Sequence, residues 1–369
     1  MGRGVKVSKY VVIGGFLGAG KTTSMIAFAE YLGRKGKKAA ILVNDLGAKN
    51  LVDGSYTAAS GRLCTEITGN CICYQTENLV DKLRRFRDTD RADIIFSDIP
   101  GCGIGALDHV YHNLNRNYPG EFELCPFVAV ADPERLRMIM PEHADIHLPD
   151  EMNYLFDAQL REAEVILLNK IDLLSEEARE AYMDFLTRTY PAARVFAISA
   201  REGQGVAEAA DYLLSHSSGL PNVDIGYGGD AFIAAEKRLS WYNRRFYVKS
   251  RTGALLDGNQ FTYEFVEAVR KKLRFIQRNV PHLKVFAAGE NGAFAKLSLL
   301  GIDYELEYSQ KFEGPQPGLR VVVNARAACE SEALAEVMDA AMLETADAFQ
   351  ADTHVFFTEC FGMMDEGRE

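Results

Sequence analysis

Short apolar runs alternate with amphipathic stretches over about the first 215 residues of the chain. The apolar runs have the length and unbroken hydrophobicity of strands that are buried on both faces, whereas the stretches between them have helical spacing. The predicted strands are residues 10–13, 39–43, 92–96, 126–131, 165–168 and 194–198. The predicted helices are residues 22–34, 75–87, 105–115, 151–163, 176–188 and 206–215. This alternation predicts an α/β fold with a mostly parallel sheet, helices on both faces, and ligands beyond the carboxyl ends of the strands.

The pattern changes after a segment rich in glycine, serine, proline and aspartate at residues 217–230. Strands are then predicted at residues 245–249, 284–288, 295–300, 304–308, 319–324 and 353–357, and helices at 262–279 and 332–350. Two strand–helix–strand units with a hairpin between them favour a smaller α+β domain of the split βαβ type, unless the repetition is coincidental. The predicted organisation is an α/β domain over residues 1–220, a linker over 221–240 and an α+β domain over 241–369.

The composition and net charge of the chain limit the classes of partner that it is expected to bind. Hydrophobic residues make up 47% and charged residues 25% of the 369 residues, as in ordinary soluble domains. The net charge of −11 argues against nucleic-acid binding, because phosphate contacts need clustered lysine and arginine. No apolar run reaches the ~18–20 residues of a membrane helix, so no membrane partner is expected. Seven cysteines without a secretory signal predict reduced thiols in the cytoplasm.

Residues 15–22, GFLGAGKT, fit the phosphate-binding pattern G-x-x-x-x-G-K-[ST] at every fixed position. They lie between a predicted strand and a predicted helix, where glycines allow close approach to phosphate and the helix N-terminus favours an anion. We expect Lys21 to reach the β- and γ-phosphates and the Thr22 hydroxyl to bind Mg²⁺. The nucleotide contacts predicted in this loop are Gly15, Gly18, Ala19, Gly20, Lys21, Thr22 and Thr23.

A second pattern, N-K-x-D, follows a predicted strand at Asn169, Lys170 and Asp172. In GTPases its aspartate accepts hydrogen bonds from two guanine N–H groups, whereas adenine would leave that carboxylate poorly paired. Ser199 and Ala200 follow the next predicted strand, where GTPases carry a loop that backs the base. These residues predict GTP and GDP, rather than ATP, as the ligands.

An aspartate, Asp98, lies two residues after the predicted strand at residues 92–96. Asp98 is placed like an acid that holds Mg²⁺ through water, beside the Thr22 hydroxyl. Asp98 and Gly101 also have the D-x-x-G spacing of a switch whose glycine N–H contacts the γ-phosphate. An aspartate here could alternatively be a turn or helix-cap residue.

Two further segments resemble CobW-type GTPases. Residues 43–47, VNDLG, are similar to V-N-[DE]-F-G, and residues 66–73, EITGNCIC, are similar to E-L-x-x-G-C-[IV]-C-C. With the phosphate loop and N-K-x-D, the chain resembles the CobW/HypB/UreG branch of P-loop GTPases over about residues 8–216. Members of that branch insert or deliver zinc, cobalt or nickel. The resemblance implies nucleotide-dependent homodimers, a metal-handling cysteine motif, and an acid at Asp45 that positions water near the γ-phosphate. The catalytic residues it implies are Lys21, Asp45 and Asp98.

This chain departs from the family pattern at two places. Tyr74 stands where the third cysteine of C-x-C-C is expected, and the usual E-x-x-G switch is replaced by Asp98-x-x-Gly101. These departures bear on the predicted metal site and not on the predicted nucleotide site.

Cys71 and Cys73 can both face one ion, although two thiolates leave a tetrahedral Zn²⁺ two ligands short. Cys102 is the preferred third ligand, because it directly follows Gly101 and would move with the switch. Cys64, Asp45 and Glu66 are the other candidates. We predict Zn²⁺, Co²⁺ or Ni²⁺ at Cys71, Cys73 and Cys102; the alternative is that these cysteines are small buried hydrophobic residues.

Two histidine pairs have helical spacing that would suit a metal. His109 and His112 follow the switch, and His143 and His147 are four residues apart. More often, such pairs are surface or capping residues.

These features predict a GTP-hydrolysing metallochaperone or metal-cofactor assembly factor that acts on a client metalloenzyme or cofactor-assembly protein. The alternative is a GTP-dependent regulatory switch that activates a client, such as a corrinoid enzyme or metalloenzyme, without carrying metal itself. Metal content of the reduced protein, with and without GTP, distinguishes the two hypotheses.

Overall fold

The computed structural model describes residues 7–47, 52–100, 103–141, 150–237, 239–278 and 280–362. The chain divides into two compact units, the first formed by residues 1–48 and 60–233, the second by residues 49–59 and 234–369. The second unit therefore includes a short segment taken from within the sequence of the first. None of the helices in the described parts is long and apolar enough to cross a membrane.

The first unit is built on an eight-stranded sheet with the order β3-β2-β4-β1-β6-β7-β8, in which β5 also pairs with β1. Every strand pairing in it is parallel, which confirms the predicted sheet type. Residues 10–13, at the centre of β1, are fully buried, as a strand covered on both faces requires. The strands are β1 (Ser8–Gly15), β2 (Ala39–Asn44), β3 (Cys64–Ile67), β4 (Ile94–Asp98), β5 (Phe122–Leu124), β6 (Val128–Ala131), β7 (Val165–Leu168) and β8 (Arg194–Ala197).

Helices follow most of these strands along the chain. The α-helices before the second unit's main segment are α1 (Lys21–Arg34), α2 (Val52–Ala59), α3 (Thr76–Asp88), α4 (Asn113–Asn117), α5 (Pro133–Arg137), α6 (Asp150–Glu162), α7 (Glu176–Thr189), α8 (Val206–Ser215) and α9 (Asp230–Lys237). The predicted helix at 105–115 is a π-helix, Leu107–His112, that continues into α4. Short 3₁₀ turns occupy Ile72–Tyr74 and Ile171–Leu173.

The second unit has a six-stranded antiparallel sheet with the order β12-β11-β10-β13-β9-β14. Its strands are β9 (Ser240–Ser250), β10 (His282–Gly289), β11 (Phe294–Leu299), β12 (Glu307–Gln310), β13 (Leu319–Ala327) and β14 (Ala351–Gly362). Its long helices are α10 (Gly258–Phe275) and α11 (Ser331–Ala348). Strand β13 lies between β9 and β10, and β9 lies between β13 and β14, which is the order of two interlocked split βαβ units.

The two faces of this second sheet are covered differently. Alternate residues of β13, such as Val321 and Val323, share one hydrophobic core with Phe265 of α10 and Met338 of α11. Residues of the opposite parity face away from that core, and among them Val322 packs in a separate small cluster. One face thus carries the main core, whereas the other carries the helix α2.

Candidate functional site

The predicted phosphate loop joins β1 to α1 and depends on its glycines. Gly15, Gly18 and Gly20 have φ of 111°, 74° and 99°, in the left-handed region that favours glycine. A Cβ on Gly15 would lie 2.2 Å from the Val130 carbonyl oxygen, and a Cβ on Gly20 would lie 2.4 Å from Nδ2 of Asn169. Larger residues would therefore disrupt both the loop conformation and its packing.

Lys21 lies at the start of α1 and turns back into this loop. Its Nζ donates hydrogen bonds to the carbonyl oxygens of Gly15 at 2.8 Å and Phe16 at 3.0 Å. The next residue, Thr22, is buried. The structure thus places an ammonium group within a loop of main-chain amides at a helix N-terminus, the arrangement that binds phosphate.

Asp98 ends β4, the strand that pairs with both β1 and β2. Its buried carboxylate accepts a hydrogen bond from the backbone N–H of Asn44 at 2.7 Å. The Asn44 side chain in turn donates to the carbonyl oxygens of Ile67 and Asn70, and accepts from the N–H of Ile72 at 2.9 Å. Asn44 therefore connects the acid at the end of β4 to the segment that carries the cysteines.

Asp45 follows β2 and lies at the same edge of the sheet. Its Oδ1 accepts a hydrogen bond from the backbone N–H of Gly47 at 3.1 Å, and its own N–H donates to Ile67. The side chain is half-buried, so it remains accessible to solvent. The switch glycine Gly101 lies outside the described residues, as does Cys102.

Asn169 joins the phosphate loop to the loop that follows β8. Its Nδ2 donates to the Ala19 carbonyl oxygen at 2.7 Å, and its Oδ1 accepts from the Ala200 N–H at 2.9 Å. Ser199 is buried and accepts a hydrogen bond from the backbone of Glu202. The structure therefore brings together two motifs that are 150 positions apart in the sequence.

The remaining two residues of N-K-x-D occupy a tight turn. Lys170 has a φ of 64°, and Asp172 lies in the 3₁₀ turn that follows it. The Asp172 side chain is exposed. This turn presents a carboxylate to solvent beside the loop that Asn169 anchors.

Replacing Asn169 with alanine should loosen this site even without any ligand. The Ala19 carbonyl and the Ala200 N–H would lose their buried partner, at a cost of about 2–3 kcal/mol in the free energy of unfolding. Denaturant unfolding measures this cost, and hydrogen exchange should quicken in the phosphate loop. Asn78→Ala, at an exposed position, is the control. Equal stability of the two variants would contradict the bridging role.

Cys71 precedes a 3₁₀ turn, Cys73 lies within it, and both are buried. The Cys71 Sγ accepts a hydrogen bond from the Cys73 N–H at 3.5 Å. The hydrogen bond between the two thiols, together with burial, raises the pKa of Cys73 well above its usual range. A bound metal would have to displace that proton, because the thiolate is the ligand.

Among the described residues, the other candidate ligands are not gathered around this cysteine pair. In the described ranges, no three His, Cys, Asp or Glu residues form a group that could hold a metal ion. Cys64, Asp45 and Glu66 therefore do not complete the site there. His109 and His112 make other contacts, and His143 and His147 fall outside the described residues.

An aromatic cluster beside the cysteines was not predicted. The hydroxyl of Tyr74 is hydrogen-bonded to that of Tyr227, and the His109 ring centroid lies 4.4 Å from that of Tyr227. Tyr74 is the residue that replaces the expected third cysteine. That replacement was visible in the sequence, whereas nothing local marked Tyr227 as its partner.

Glu162, at the end of α6, was also missed. Its buried carboxylate accepts hydrogen bonds from the N–H groups of Gly105 at 2.8 Å and Leu107 at 2.7 Å. Burial raises the pKa of Glu162 to about 7. Glu162 thereby holds the start of the π-helix that follows β4 in the sequence.

The parallel sheet, the phosphate loop and the N-K-x-D turn define a P-loop nucleotide-binding protein. The sequence profile of the family described as "CobW/HypB/UreG, nucleotide-binding domain" matches residues 9–197. The chain belongs to this family, as the resemblance of its motifs predicted.

Three curated relatives match part of the chain. The zinc chaperone YeiR of Escherichia coli (strain K12) is 30% identical over 175 residues, which cover 46% of this chain and 48% of that protein. The zinc-regulated GTPase metalloprotein activator 1 of Schizosaccharomyces pombe is 28% identical over 175 residues, covering 45% and 40%. The zinc chaperone CobW of Sinorhizobium sp. is 27% identical over 192 residues, covering 47% and 53%. The chain thus spans about half the length of the curated relatives it matches.

Two solved structures are similar at a low level. The hydrogenase maturation factor HypB from Archaeoglobus fulgidus has a TM-score of 0.39 and 20% identity, and the match covers 56% of this chain and 89% of that one. The Zn(II)-bound YjiA GTPase from E. coli has a TM-score of 0.37 and 16% identity, covering 92% and 99%.

Proposed function

We propose that this protein binds and hydrolyses GTP and uses that cycle to deliver a divalent metal to a client metalloenzyme or cofactor-assembly protein. The observation that carries the proposal is the Asn169 bridge, which joins a phosphate loop to the loop expected to back a guanine base. Membership of the CobW/HypB/UreG family, with zinc chaperones among the relatives, supports the metal-delivery part. A nucleotide-dependent homodimer in the cytoplasm is part of the same proposal.

The phosphates are assigned to the loop between β1 and α1. The main-chain amides of residues 15–23 and the ammonium of Lys21 would contact the β- and γ-phosphates. Thr22 and Asp98 are the residues that would hold Mg²⁺, an ion that neutralises charge on the phosphate oxygens when bound. Their oxygen donors suit this hard cation.

The base is assigned to the N-K-x-D turn and the loop after β8. Asp172 would accept hydrogen bonds from two N–H groups of guanine, while Lys170 and Asn169 shape the turn and hold it to the phosphate loop. Ser199 and Ala200 would back the ring. This arrangement favours GTP over ATP, since adenine presents an acceptor at N1 and has no amino group at C2, where guanine has its two donors.

Hydrolysis would proceed by attack of water on the γ-phosphorus. The bond from that phosphorus to the oxygen bridging the β-phosphate breaks, and the proton of the water leaves with phosphate or solvent. Asp45 is assigned to position this water, because it directly follows β2, at the same edge of the sheet as Asp98, and is only half-buried. Catalysis here is positioning and charge stabilisation, which gives slow turnover unless a partner completes the site.

The metal cargo is assigned to Cys71 and Cys73. Two thiolates suit a borderline ion such as Zn²⁺, Co²⁺ or Ni²⁺ and supply half of a tetrahedral site. Cys102 is the proposed third ligand, next to the switch residue Gly101 in the sequence. A metal ligand next to Gly101 would make the affinity for the metal depend on whether the γ-phosphate is present.

One observation favours the alternative of a client-activating switch that carries no metal. Tyr74 replaces the third cysteine, and its hydroxyl is engaged by Tyr227 rather than available to an ion. In this alternative the cysteines pack as buried thiols, and the nucleotide state alone is communicated to the client.

Replacing both Cys71 and Cys73 with serine tests the two alternatives. Zinc stoichiometry of the reduced protein should fall by about one equivalent, whereas GTP affinity should stay within about twofold, because the phosphate loop lies elsewhere. In the wild type, zinc binding should release protons and strengthen as pH rises, since the metal must displace the raised-pKa proton of Cys73. Cys329→Ser, in the second unit, is the control. An unchanged zinc stoichiometry in the double variant would favour the metal-free switch.

A further inference from the structure

Residues 218–227, which come after α8, lie along the first unit and are held to it by hydrogen bonds. The Ser218 N–H donates to the Leu124 carbonyl oxygen at 2.7 Å, and the Tyr154 hydroxyl donates to the Ile225 carbonyl oxygen at 2.5 Å. The Ile225 side chain is buried as well. This segment, which we call the strap, is therefore packed against the first unit at several points.

The strap ends at Tyr227, which has a glycine on each side. Gly226 and Gly228 have φ of 69° and 74°, in the left-handed region that favours glycine. Hinges in proteins are a few loop residues, often small ones, that absorb changes in φ and ψ. The backbone on both sides of Tyr227 is therefore suited to let this side chain move while Ile225 stays buried.

The Tyr227 side chain contacts two segments of the first unit. Its hydroxyl is hydrogen-bonded to that of Tyr74, which directly follows Cys73 in the chain. Its ring centroid lies 4.4 Å from that of His109. A Cβ on Gly105 would lie 2.7 Å from Cδ2 of Tyr227, so the ring packs directly on that backbone. Tyr227 thus bridges the cysteine segment and the residues at the start of the π-helix.

The cysteine pair beside Tyr74 is nearly closed to solvent, since Cys71 is 9% exposed and Cys73 is 7% exposed. Burial and the hydrogen bond to Tyr74 raise the pKa of the Tyr227 hydroxyl well above its usual range, and the Cys73 and Cys71 sulfurs add to that rise. The Tyr227 hydroxyl is therefore close to both sulfurs. A metal ion or a thiol reagent needs a path to sulfur, so part of this covering must move first.

We propose that the strap closes over the cysteine pair through the contact of Tyr227 with Tyr74, and that a metal ion or a thiol reagent reaches the sulfurs only when Tyr227 moves away. The inference deepens the proposed function, because Cys71 and Cys73 are the residues assigned to the metal cargo. It also gives Tyr74 a role of its own, since the residue in place of the third cysteine is the one that holds the strap.

The rate at which the two cysteines react measures this opening. A protected group reacts at its exposed rate multiplied by the fraction of time for which it is open. We expect Tyr227→Ala to speed alkylation of Cys71 and Cys73 by iodoacetamide by about tenfold or more, because it removes both the ring contacts and the hydrogen bond. Tyr74→Phe, which keeps the ring and removes only the hydroxyl, should speed it by about threefold. Mass spectrometry of the alkylated peptides of the full chain gives each rate.

Two controls separate opening of the strap from loosening of the whole unit. Cys125 is fully buried in the same unit and serves as the internal reference, whose alkylation rate should stay within about twofold of the wild type in every variant. Tyr31→Phe removes a tyrosine hydroxyl that donates to Asp211, and it should leave the rates at the cysteine pair unchanged.

Unchanged rates at Cys71 and Cys73 in both strap variants would overturn the proposal. An equal acceleration at Cys125 would overturn it as well, since the unit as a whole would then be opening. The alkylation rates do not depend on a metal. If they follow the expected pattern while the reduced wild type binds no Zn²⁺, the strap stands and the assignment of the metal cargo fails.

Discussion

Replacing Lys21 with alanine should weaken binding of GTP by about 100-fold or more. The ammonium lies inside the phosphate loop, where it donates to the carbonyls of Gly15 and Phe16. Bound triphosphate would take over those bonds as charge-assisted contacts, whose removal costs about 2–5 kcal/mol. Because about 1.4 kcal/mol corresponds to a tenfold change in affinity, the loss is large and easily measured.

Titration calorimetry at fixed salt and Mg²⁺ checks this prediction. Lys35→Ala is the matched control, since that lysine follows the same helix and pairs with Asp211 at the surface. The control should bind GTP as the wild type does. A Lys21→Ala protein that binds GTP within fivefold of the wild type would contradict the assignment of the phosphates to this loop.

Replacing Asp172 with asparagine should shift the nucleotide preference from GTP towards xanthosine triphosphate. The amide can donate to the additional carbonyl of xanthine but cannot accept from two guanine N–H groups, so GTP affinity should fall by about 100-fold while xanthosine triphosphate gains. The side chain is exposed, so the fold should be unaffected.

Competition with a fluorescent nucleotide measures both changes. Asp184→Asn, an exposed carboxylate on α7 paired with Arg188, is the control and should leave both affinities unchanged. Equal affinity of the wild type for ATP and GTP would contradict the assignment of guanine, and so would an unchanged preference in Asp172→Asn.

The parts of the fold that could be predicted from sequence are those specified locally. Strand β7 was predicted with its observed bounds, because its four residues are apolar and fully buried. Strand β3 was missed, since it has only one buried residue and lies at the edge of the sheet. Helix α2 was missed as well: it contains Gly54 and Thr57, which are poor helix formers, and its stability comes from residues of the second unit.

The residues of the candidate site also fall into two groups, those that the local sequence specifies and those that depend on contacts in the packed fold. The phosphate loop was predictable because its backbone conformation requires glycine at fixed positions, which the sequence displays directly. The contacts of Tyr74 with Tyr227, and of Glu162 with Gly105, join residues far apart in the chain. Such pairings depend on the packed fold, and a single sequence contains no periodicity or spacing that specifies them.

In the proposed function, GTP controls a metal bound at the cysteine segment. Equilibrium dialysis of the reduced full-length chain against Zn²⁺, with Mg²⁺ and either GDP or a non-hydrolysable GTP analogue, tests it most directly. We expect about one zinc per chain, with an affinity at least tenfold different between the two nucleotides, and release of phosphate when GTP is supplied. The same zinc stoichiometry and affinity with both nucleotides would contradict it.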